Sequence, residues 1–266
     1  MIAPSHAAAA ITAQGVTHFF RITNGRASDE VVRAIDNVSL RVEDRRFISI
    51  VGPSGCGKTT LLNIIAGLEE LQAGSVNVAG GPPVAGRAEI AFMPARDALM
   101  PWRTVEGNAG FGLEVRGVPE AARRPVINEL LGLVGLKAFA SAKPRQLSQG
   151  MRQRVALVRT FALPSRILLM DEPFGALDAQ TKQQLQALLL RLWERDHRTV
   201  ILVTHDLQEA IALSDEVIVM SARPGRIKDI VEVGLKRPRD VATLIADPDF
   251  VALYQRVRSQ VEDIPE

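Results

Sequence analysis

Residues 52–59 read GPSGCGKT and match the pattern G-x-x-x-x-G-K-[ST]. The run before them, residues 47–51 (FISIV), is apolar and typical of a buried strand, and residues 60–67 (TLLNIIAG) continue with a helical pattern. Glycines let backbone amides turn inward around a phosphate, and the N-terminus of the following helix favours the same anion. The stretch therefore predicts a phosphate-binding loop carried between a strand and a helix.

Two side chains of this loop have expected roles in nucleotide chemistry. Lys58 is expected to reach the β- and γ-phosphates and to stabilise their charge, and the Thr59 hydroxyl is expected to bind Mg²⁺. The loop residues expected to surround ATP are Gly52, Pro53, Ser54, Gly55, Cys56, Gly57, Lys58, Thr59 and Thr60.

The composition is that of an ordinary globular chain. Of 266 residues, 47% are hydrophobic and 23% are charged, which suits one large domain or a core with a subdomain. The net charge of +2 gives no indication of nucleic-acid binding, and a single cysteine, Cys56, excludes an internal disulfide. Residues 1–10 lack the features of a signal peptide and are expected to form a disordered tail.

Strand and helix patterns alternate along the chain, most clearly after residue 166. The expected strands cover residues 15–22, 34–42, 47–51, 75–78, 89–93, 166–171, 199–204, 215–220 and 227–233. The expected helices cover residues 58–67, 104–116, 121–134, 149–163, 179–195 and 207–213. This alternation predicts an α/β core with parallel strands.

Two regions depart from the alternation. Residues 96–163 have helical periodicity and turn signals but no convincing strand, which predicts a helical subdomain inserted in the core. Residues 237–266 are expected to form a C-terminal helical extension, whose helix over residues 241–261 breaks around Pro248.

A second acidic motif follows a buried strand, since residues 166–173 read RILLMDEP. Ligands sit at the carboxyl ends of parallel strands, so Asp171 is expected in the Mg²⁺ shell and Glu172 is expected to act as general base on the attacking water. An Asp-Glu pair in this position is otherwise a turn or a helix cap, and the phosphate-binding loop upstream favours the functional interpretation.

Three further motifs complete the pattern. Residues 147–154 read LSQGMRQR, residues 175–178 read GALD and residues 204–206 read THD. In this order, with GPSGCGKT and ILLMDEP, they resemble the ATP-binding subunits of ABC transporters over about residues 14–233. The resemblance implies a P-loop NTPase core with an antiparallel β subdomain and an inserted helical subdomain, in an ABC ATPase domain over residues 11–236.

The resemblance also implies roles in a head-to-tail dimer with two ATP molecules between the chains. Residues 147–150 look like the signature motif, with Gln149 where glycine is commoner, and the helix N-terminus there suits an anion. Ser148, Gln149 and Gly150 would contact the ATP held by a second ATP-binding subunit. Asp178 looks like the D-loop residue that bridges the two sites, and His205 looks like the switch histidine near the γ-phosphate.

The resemblance also implies an aromatic residue that stacks on adenine. Phe20 is expected in this role, with Phe19 as the competitor and packing in the core as the alternative. Stacking of an aromatic side chain on a base contributes about 1–3 kcal/mol.

The segment after the strand at residues 89–93 resembles the Q-loop, whose glutamine reaches Mg²⁺ and the catalytic water. Here the position is Ala95, or Met93 in the other registration, and no glutamine occurs between residues 73 and 145. We therefore expect retained ATP binding with attenuated or less tightly coupled hydrolysis. The membrane permease is expected to contact Leu99, Met100, Pro101, Trp102 and Arg103, and the alternative for Trp102 is packing inside the helical subdomain.

Residues 99–117, 171–181, 221–227 and 236–239 further resemble ATPases that import nitrate, sulfonates or taurine. The leading hypothesis is a peripheral ATPase on the cytoplasmic face of the inner or plasma membrane, working with permease subunits and, indirectly, a solute-binding protein. The alternatives are a degenerate regulatory nucleotide-binding subunit and a soluble ABC ATPase outside transport. The last would carry tandem ATPase halves or a coiled-coil insertion, and neither pattern is present.

Overall fold

Nine strands build two sheets in the computed structural model, which describes residues 9–22 and 30–262. In chain order the strands are β1 (Ala9–Ile22), β2 (Glu30–Glu43), β3 (Phe47–Val51), β4 (Ala73–Val78), β5 (Ile90–Met93), β6 (Ile167–Asp171), β7 (Thr199–Val203), β8 (Glu216–Met220) and β9 (Ile227–Glu232). The helices are α1 (Lys58–Ala66), α2 (Val105–Ala109), α3 (Phe111–Val115), α4 (Glu120–Leu133), α5 (Gln149–Ala162), α6 (Ala179–Asp196), α7 (Leu207–Leu213), α8 (Val241–Leu244) and α9 (Pro248–Glu262). Two 3₁₀ turns, Lys137–Phe139 and Pro144–Gln146, precede α5.

The larger sheet has the strand order β5-β6-β7-β3-β8-β9. Its first five strands are parallel, as the alternation predicts, and the edge strand β9 runs antiparallel to β8. The exception has a simple cause, because residues 221–226 are too short a connection for a parallel crossover. β3, β6 and β7 are buried along their whole length, since structure covers both faces of the sheet.

Alternate residues of this sheet enter two separate cores. Leu168 and Met170 of β6 pack in the cluster formed with the helical region and α6, whereas Ile167 and Leu169 pack against α1 and the smaller sheet. The period of two in β6 therefore places the parallel sheet between two apolar layers.

The smaller sheet is antiparallel, with the order β2-β1-β4. Ile11 of β1 pairs with Val42 of β2 and with Val78 of β4, and all three side chains are buried. The expected tail at residues 1–10 needs correction here, because Ala9 and Ala10 lie within β1 and Ala10 is buried. Residues 1–8 of that tail lie outside the described residues.

The region over residues 96–163 is helical, with no strand among these residues. The expected single helix over residues 104–116 is instead two short helices, α2 and α3, which meet at Gly110. Thr104 caps α2 by accepting a hydrogen bond from the Gly107 amide, 3.1 Å away.

The C-terminal residues pack on the end of the core. The expected break at Pro248 is present, since α8 ends at Leu244 and α9 begins at Pro248. Arg239 is buried and donates to the carbonyls of Ile211, Ala212 and Ser214 around the end of α7, and burial lowers its pKa to about 10. Among the described residues, no helix is both long enough and apolar enough to cross a membrane.

Candidate nucleotide-binding site

The phosphate-binding loop leaves the carboxyl end of β3 and enters α1. Gly57, with φ of 96°, takes the left-handed conformation immediately before the helix, and a Cβ there would lie 2.8 Å from the Ala34 carbonyl oxygen. The turn therefore requires glycine at this position. The sequence expectation of strand, loop and helix is confirmed.

Lys58 is buried, and its ammonium group points back into the loop. Its Nζ donates to the carbonyl oxygens of Gly52 and Pro53, at 2.8 Å and 2.9 Å. A buried ammonium group that has only neutral partners gains when a phosphate approaches, because charge-assisted bonds are about twice as strong as neutral ones.

Thr59 and Asp171 bring two hard oxygen ligands together. The Thr59 hydroxyl donates to Asp171 Oδ1 over 2.9 Å, which joins the start of α1 to the end of β6. Burial raises the pKa of the Asp171 carboxyl, and the neighbouring Glu172 carboxylate also raises it. This donor set fits Mg²⁺, which uses few carboxylates and completes its shell with waters and phosphate oxygens.

Glu172 and His205 meet beside this pair. His205 Nδ1 lies 3.1 Å from Glu172 Oε2, and both residues follow adjacent parallel strands, β6 and β7. Glu172 has φ of 43°, a conformation that strains a non-glycine residue by about 1–3 kcal/mol. Glu172 lines the same cavity as Lys58, where a general base would be needed.

These elements surround a cavity of about 450 Å³. Phe20 forms part of its wall and is 40% exposed, whereas Phe19 does not line it and instead lies 5.0 Å from the Arg33 guanidinium. The geometry therefore favours Phe20 over Phe19 as the stacking residue. The lining residues are Phe20, Val32, Ala34, Ser54, Gly55, Gly57, Lys58, Thr59, Thr60, Glu172 and Arg223.

Three of these residues were not predicted from the sequence. Val32 and Ala34 lie on β2, and Arg223 lies between β8 and β9. No local pattern marks the first two, because they reach the cavity only through the packing of β2 on the loop. The run SARPGRI marks residues 221–227 as unusual but assigns no role to Arg223.

The signature and D-loop residues do not line this cavity in the same chain. The Ser148 hydroxyl caps α5 by accepting from the Met151 amide at 3.3 Å, and Asp178 caps α6 by accepting from the Thr181 amide at 3.0 Å. The Thr181 amide lowers the pKa of the Asp178 carboxyl. Gly150 lies against α6, since a Cβ there would be 2.6 Å from Thr181 Cγ2. Both motifs therefore lie close together at the starts of α5 and α6, outside this cavity.

The loop after β5 is tied to α5. Arg152 Nε donates to Asp97 Oδ2 at 3.0 Å, and Arg159 donates to the carbonyls of Asp97 and Ala98 at 2.7 Å and 2.8 Å. Met93 is fully buried at the end of β5, whereas Ala95 is exposed in the loop. The structure thus favours Ala95 over Met93 as the residue in the glutamine position.

Trp102 is 70% exposed in a segment whose backbone is fixed. The buried Asn108 side chain accepts from the Met100 amide at 2.7 Å and donates to the carbonyls of Met100 and Thr104 at 3.1 Å and 3.0 Å. Lys143 Nζ also donates to the Trp102 carbonyl at 2.7 Å. The alternative in which Trp102 packs inside the helical subdomain is not observed.

Comparison with known proteins agrees with this geometry. The sequence profile described as ABC transporter matches residues 35–175. The chain belongs to this ABC transporter family. It is therefore an ATPase of the ABC type, and the α/β fold with its two sheets agrees with solved ABC cassettes.

Relatives of this ABC cassette include two well-covered proteins. The uncharacterised ABC transporter ATP-binding protein MJ0412 of Methanocaldococcus jannaschii is 46% identical over 250 residues, which cover 94% of this chain and 90% of the relative. The taurine import ATP-binding protein TauB of Escherichia coli K12 is 40% identical over 233 residues, covering 86% and 91%.

A solved ABC cassette shows the same fold. It is the dimeric structure of a post-hydrolysis state of the ATP-binding cassette MJ0796 bound to ADP and Pi. Its TM-score is 0.74 at 30% identity, and the match covers 85% of this chain and 100% of that one.

Proposed function

We propose that this chain is the ATP-hydrolysing subunit of an importer for a small anionic solute of the nitrate, sulfonate or taurine type. The 40% identity to TauB, a taurine import protein by name, supports this assignment. The solute would pass through a separate permease, after delivery by a solute-binding protein. The chain would lie peripherally on the cytoplasmic face of the membrane.

The observation that carries the hydrolytic role is the cluster of Lys58, Asp171 and Glu172 at one edge of the sheet. Lys58 would hold the β- and γ-phosphates, and Thr59 with Asp171 would hold Mg²⁺, which neutralises phosphate charge when bound. Glu172 would take a proton from the water that attacks the γ-phosphate, giving ADP and phosphate, and His205 would orient that carboxylate.

A second ATP-binding subunit would complete the site. Ser148 and Gly150 lie outside the cavity of their own chain, and the donors at the start of α5 suit the phosphate of an ATP held by another chain. The dimeric state of MJ0796 with ADP and Pi supports pairing of two such chains. Asp178 would then lie between the two sites.

The permease would contact the loop from Leu99 to Arg103. Trp102 supplies a large exposed aromatic surface on a fixed backbone, and tryptophan is enriched in the energetically dominant part of interfaces. Movement of the helical region on ATP binding would be transmitted through this loop, because Arg152 and Arg159 tie it to α5.

Purification of the chain with its co-expressed permease tests this function. We expect the permease to co-purify and ATP hydrolysis by the complex to depend on solute and binding protein. Failure of any membrane protein to co-purify with the chain would contradict the transport role, and association with nucleic acid would favour the soluble alternative.

A second candidate is a regulatory subunit that binds ATP but hydrolyses it poorly. Only Ala95 favours this role, because its methyl group has no oxygen to offer a metal or a water. The ATPase rate of the purified chain separates the two functions. Binding of ATP with no turnover, alone or with the permease, would favour the regulatory role.

A further inference from the structure

The turn between β8 and β9, residues 221–226, reaches the nucleotide cavity. Its Arg223 lines the cavity together with Lys58 and Phe20. The Arg223 Nε and Nη2 atoms each lie 3.2 Å from the carbonyl oxygen of Gly55, in the middle of the phosphate-binding loop. None of the sequence motifs assigns a role to this side chain.

The backbone of this turn is held against its neighbours. The Gly225 amide donates to the Ala34 carbonyl at 2.9 Å, and the Asp36 amide donates to the Gly225 carbonyl at 3.0 Å. A Cβ on Gly225 would overlap the Cys56 carbonyl oxygen, so the turn packs directly on the phosphate-binding loop. Arg226 Nε donates to Asp36 Oδ2 at 2.8 Å and fixes the far end of the turn. The backbone that carries the Arg223 side chain is therefore held in place beside the phosphate-binding loop.

The Arg223 guanidinium is exposed and lacks a carboxylate partner within residues 9–22 and 30–262. A guanidinium has five N–H donors, and its hydrogen bonds to the described residues involve only Nε and Nη2. At 3.2 Å both bonds are at the long limit for N–H···O contacts, and their acceptor is neutral. A stronger, charged acceptor in the cavity would therefore compete well for this group.

We propose that Arg223 binds the phosphate groups of the same ATP molecule that Lys58 of this polypeptide binds. The guanidinium sits on the phosphate-binding loop itself, and its planar set of donors matches phosphate oxygens better than an ammonium group does. Arg223 thus adds a second cation from the β8–β9 turn to the one supplied by α1. The inference rests on the proposed nucleotide site.

The test is ATP affinity of the full chain, measured by calorimetry in the Arg223→Gln and Arg223→Lys variants. Lys236→Gln is the matched control, because Lys236 is exposed, carries the same charge and does not line the cavity. We expect Arg223→Gln to weaken ATP binding about fivefold at low salt, Arg223→Lys to weaken it about twofold, and the control to leave it unchanged.

Salt separates a phosphate contact from stacking on the base. The loss in Arg223→Gln should shrink to about twofold or less between about 50 mM and 500 mM salt, because salt screens exposed charges. A loss that is equal at both salt concentrations would overturn the phosphate contact in favour of a contact with adenine or ribose. Unchanged affinity in Arg223→Gln would overturn the role of Arg223 in binding.

Two further measurements keep the outcomes distinct. Melting temperatures without nucleotide should match the wild type in all three variants, and Arg223→Lys preserves the test if Arg223→Gln loses its fold. If the wild-type chain fails to bind ATP, the proposed nucleotide site itself is contradicted. If the wild type binds ATP and Arg223→Gln binds ATP with the same affinity, only the proposal for Arg223 is contradicted.

Discussion

Two loops leave the same edge of the core sheet, one after β3 and one after β5, and they are built in opposite ways. The β3 loop folds around a cavity and buries the Lys58 ammonium group among its own carbonyls. The β5 loop is held through its backbone by Asn108 and by arginines of α5, and it leaves Ala95 and Trp102 exposed. One loop can hold a ligand within the chain, whereas the other presents a fixed outer surface.

The largest effect should come from the cavity beside the β3 loop, in the Glu172→Gln variant. Loss of the general base should lower the ATPase rate about 10²–10⁴-fold, while ATP binding is retained because Lys58 and Thr59 are intact. Steady-state phosphate release and calorimetric ATP binding measure the two parts. Glu120→Gln is the control, since Glu120 is exposed at the start of α4. An ATPase rate of Glu172→Gln within about twofold of the wild type would contradict the assignment of Glu172 as the general base.

The next largest effect should come from the support of the β5 loop, in Asn108→Ala. Asn108 is fully buried and holds both Met100 and Thr104, so its removal should lower the free energy of unfolding by about 3 kcal/mol. Denaturant unfolding measures this loss, and Asn128→Ala on α4 is the control. If the comparison between the loops is correct, folded Asn108→Ala still binds ATP with wild-type affinity but binds the permease less well. A parallel loss of ATP affinity would show that the loops are not separate in function.

A smaller effect is expected from the exposed surface of the β5 loop, in Trp102→Ala. Truncating an interface tryptophan should weaken binding to the permease at least tenfold, about 1.4 kcal/mol, with unfolding and ATP affinity unchanged. Phe139→Ala is the matched control, because Phe139 is also an exposed aromatic residue of the helical region. Equal permease binding by wild type and Trp102→Ala would place the interface elsewhere.

The sequence predicted the parts of this molecule that depend on local patterns. The α/β class is confirmed, and so is the strand–loop–helix unit around Lys58, because buried strands and helix starts have short-range signals. The split of α2 from α3 at Gly110 and the antiparallel β9 were missed, since both depend on tertiary packing and connection length.

The candidate site shows the same division. Lys58, Asp171 and Glu172 were predicted because each follows a strand end or a motif, and the structure brings them to one edge of the sheet. Arg223 could not be predicted, because its place at the cavity depends on how the β8–β9 turn packs on the phosphate-binding loop. The roles of all these residues remain predictions.

The smallest effect should come from Ala95, the position from which a glutamine of the β5 loop would reach the nucleotide beside the β3 loop. The α5 arginines hold the same loop at Asp97, two residues further on, so a glutamine at the exposed Ala95 position would extend an amide from a supported loop. We expect Ala95→Gln to raise the ATPase rate of the assembled transporter about two- to fivefold, because a positioned hydrogen-bonding group would orient the attacking water. Arg96→Gln, at the exposed neighbouring position, is the control and should leave the rate unchanged. Equal ATPase rates and equal transport in the wild type and Ala95→Gln would show that the missing glutamine does not attenuate hydrolysis, and that coupling runs through the loop backbone and Trp102 alone.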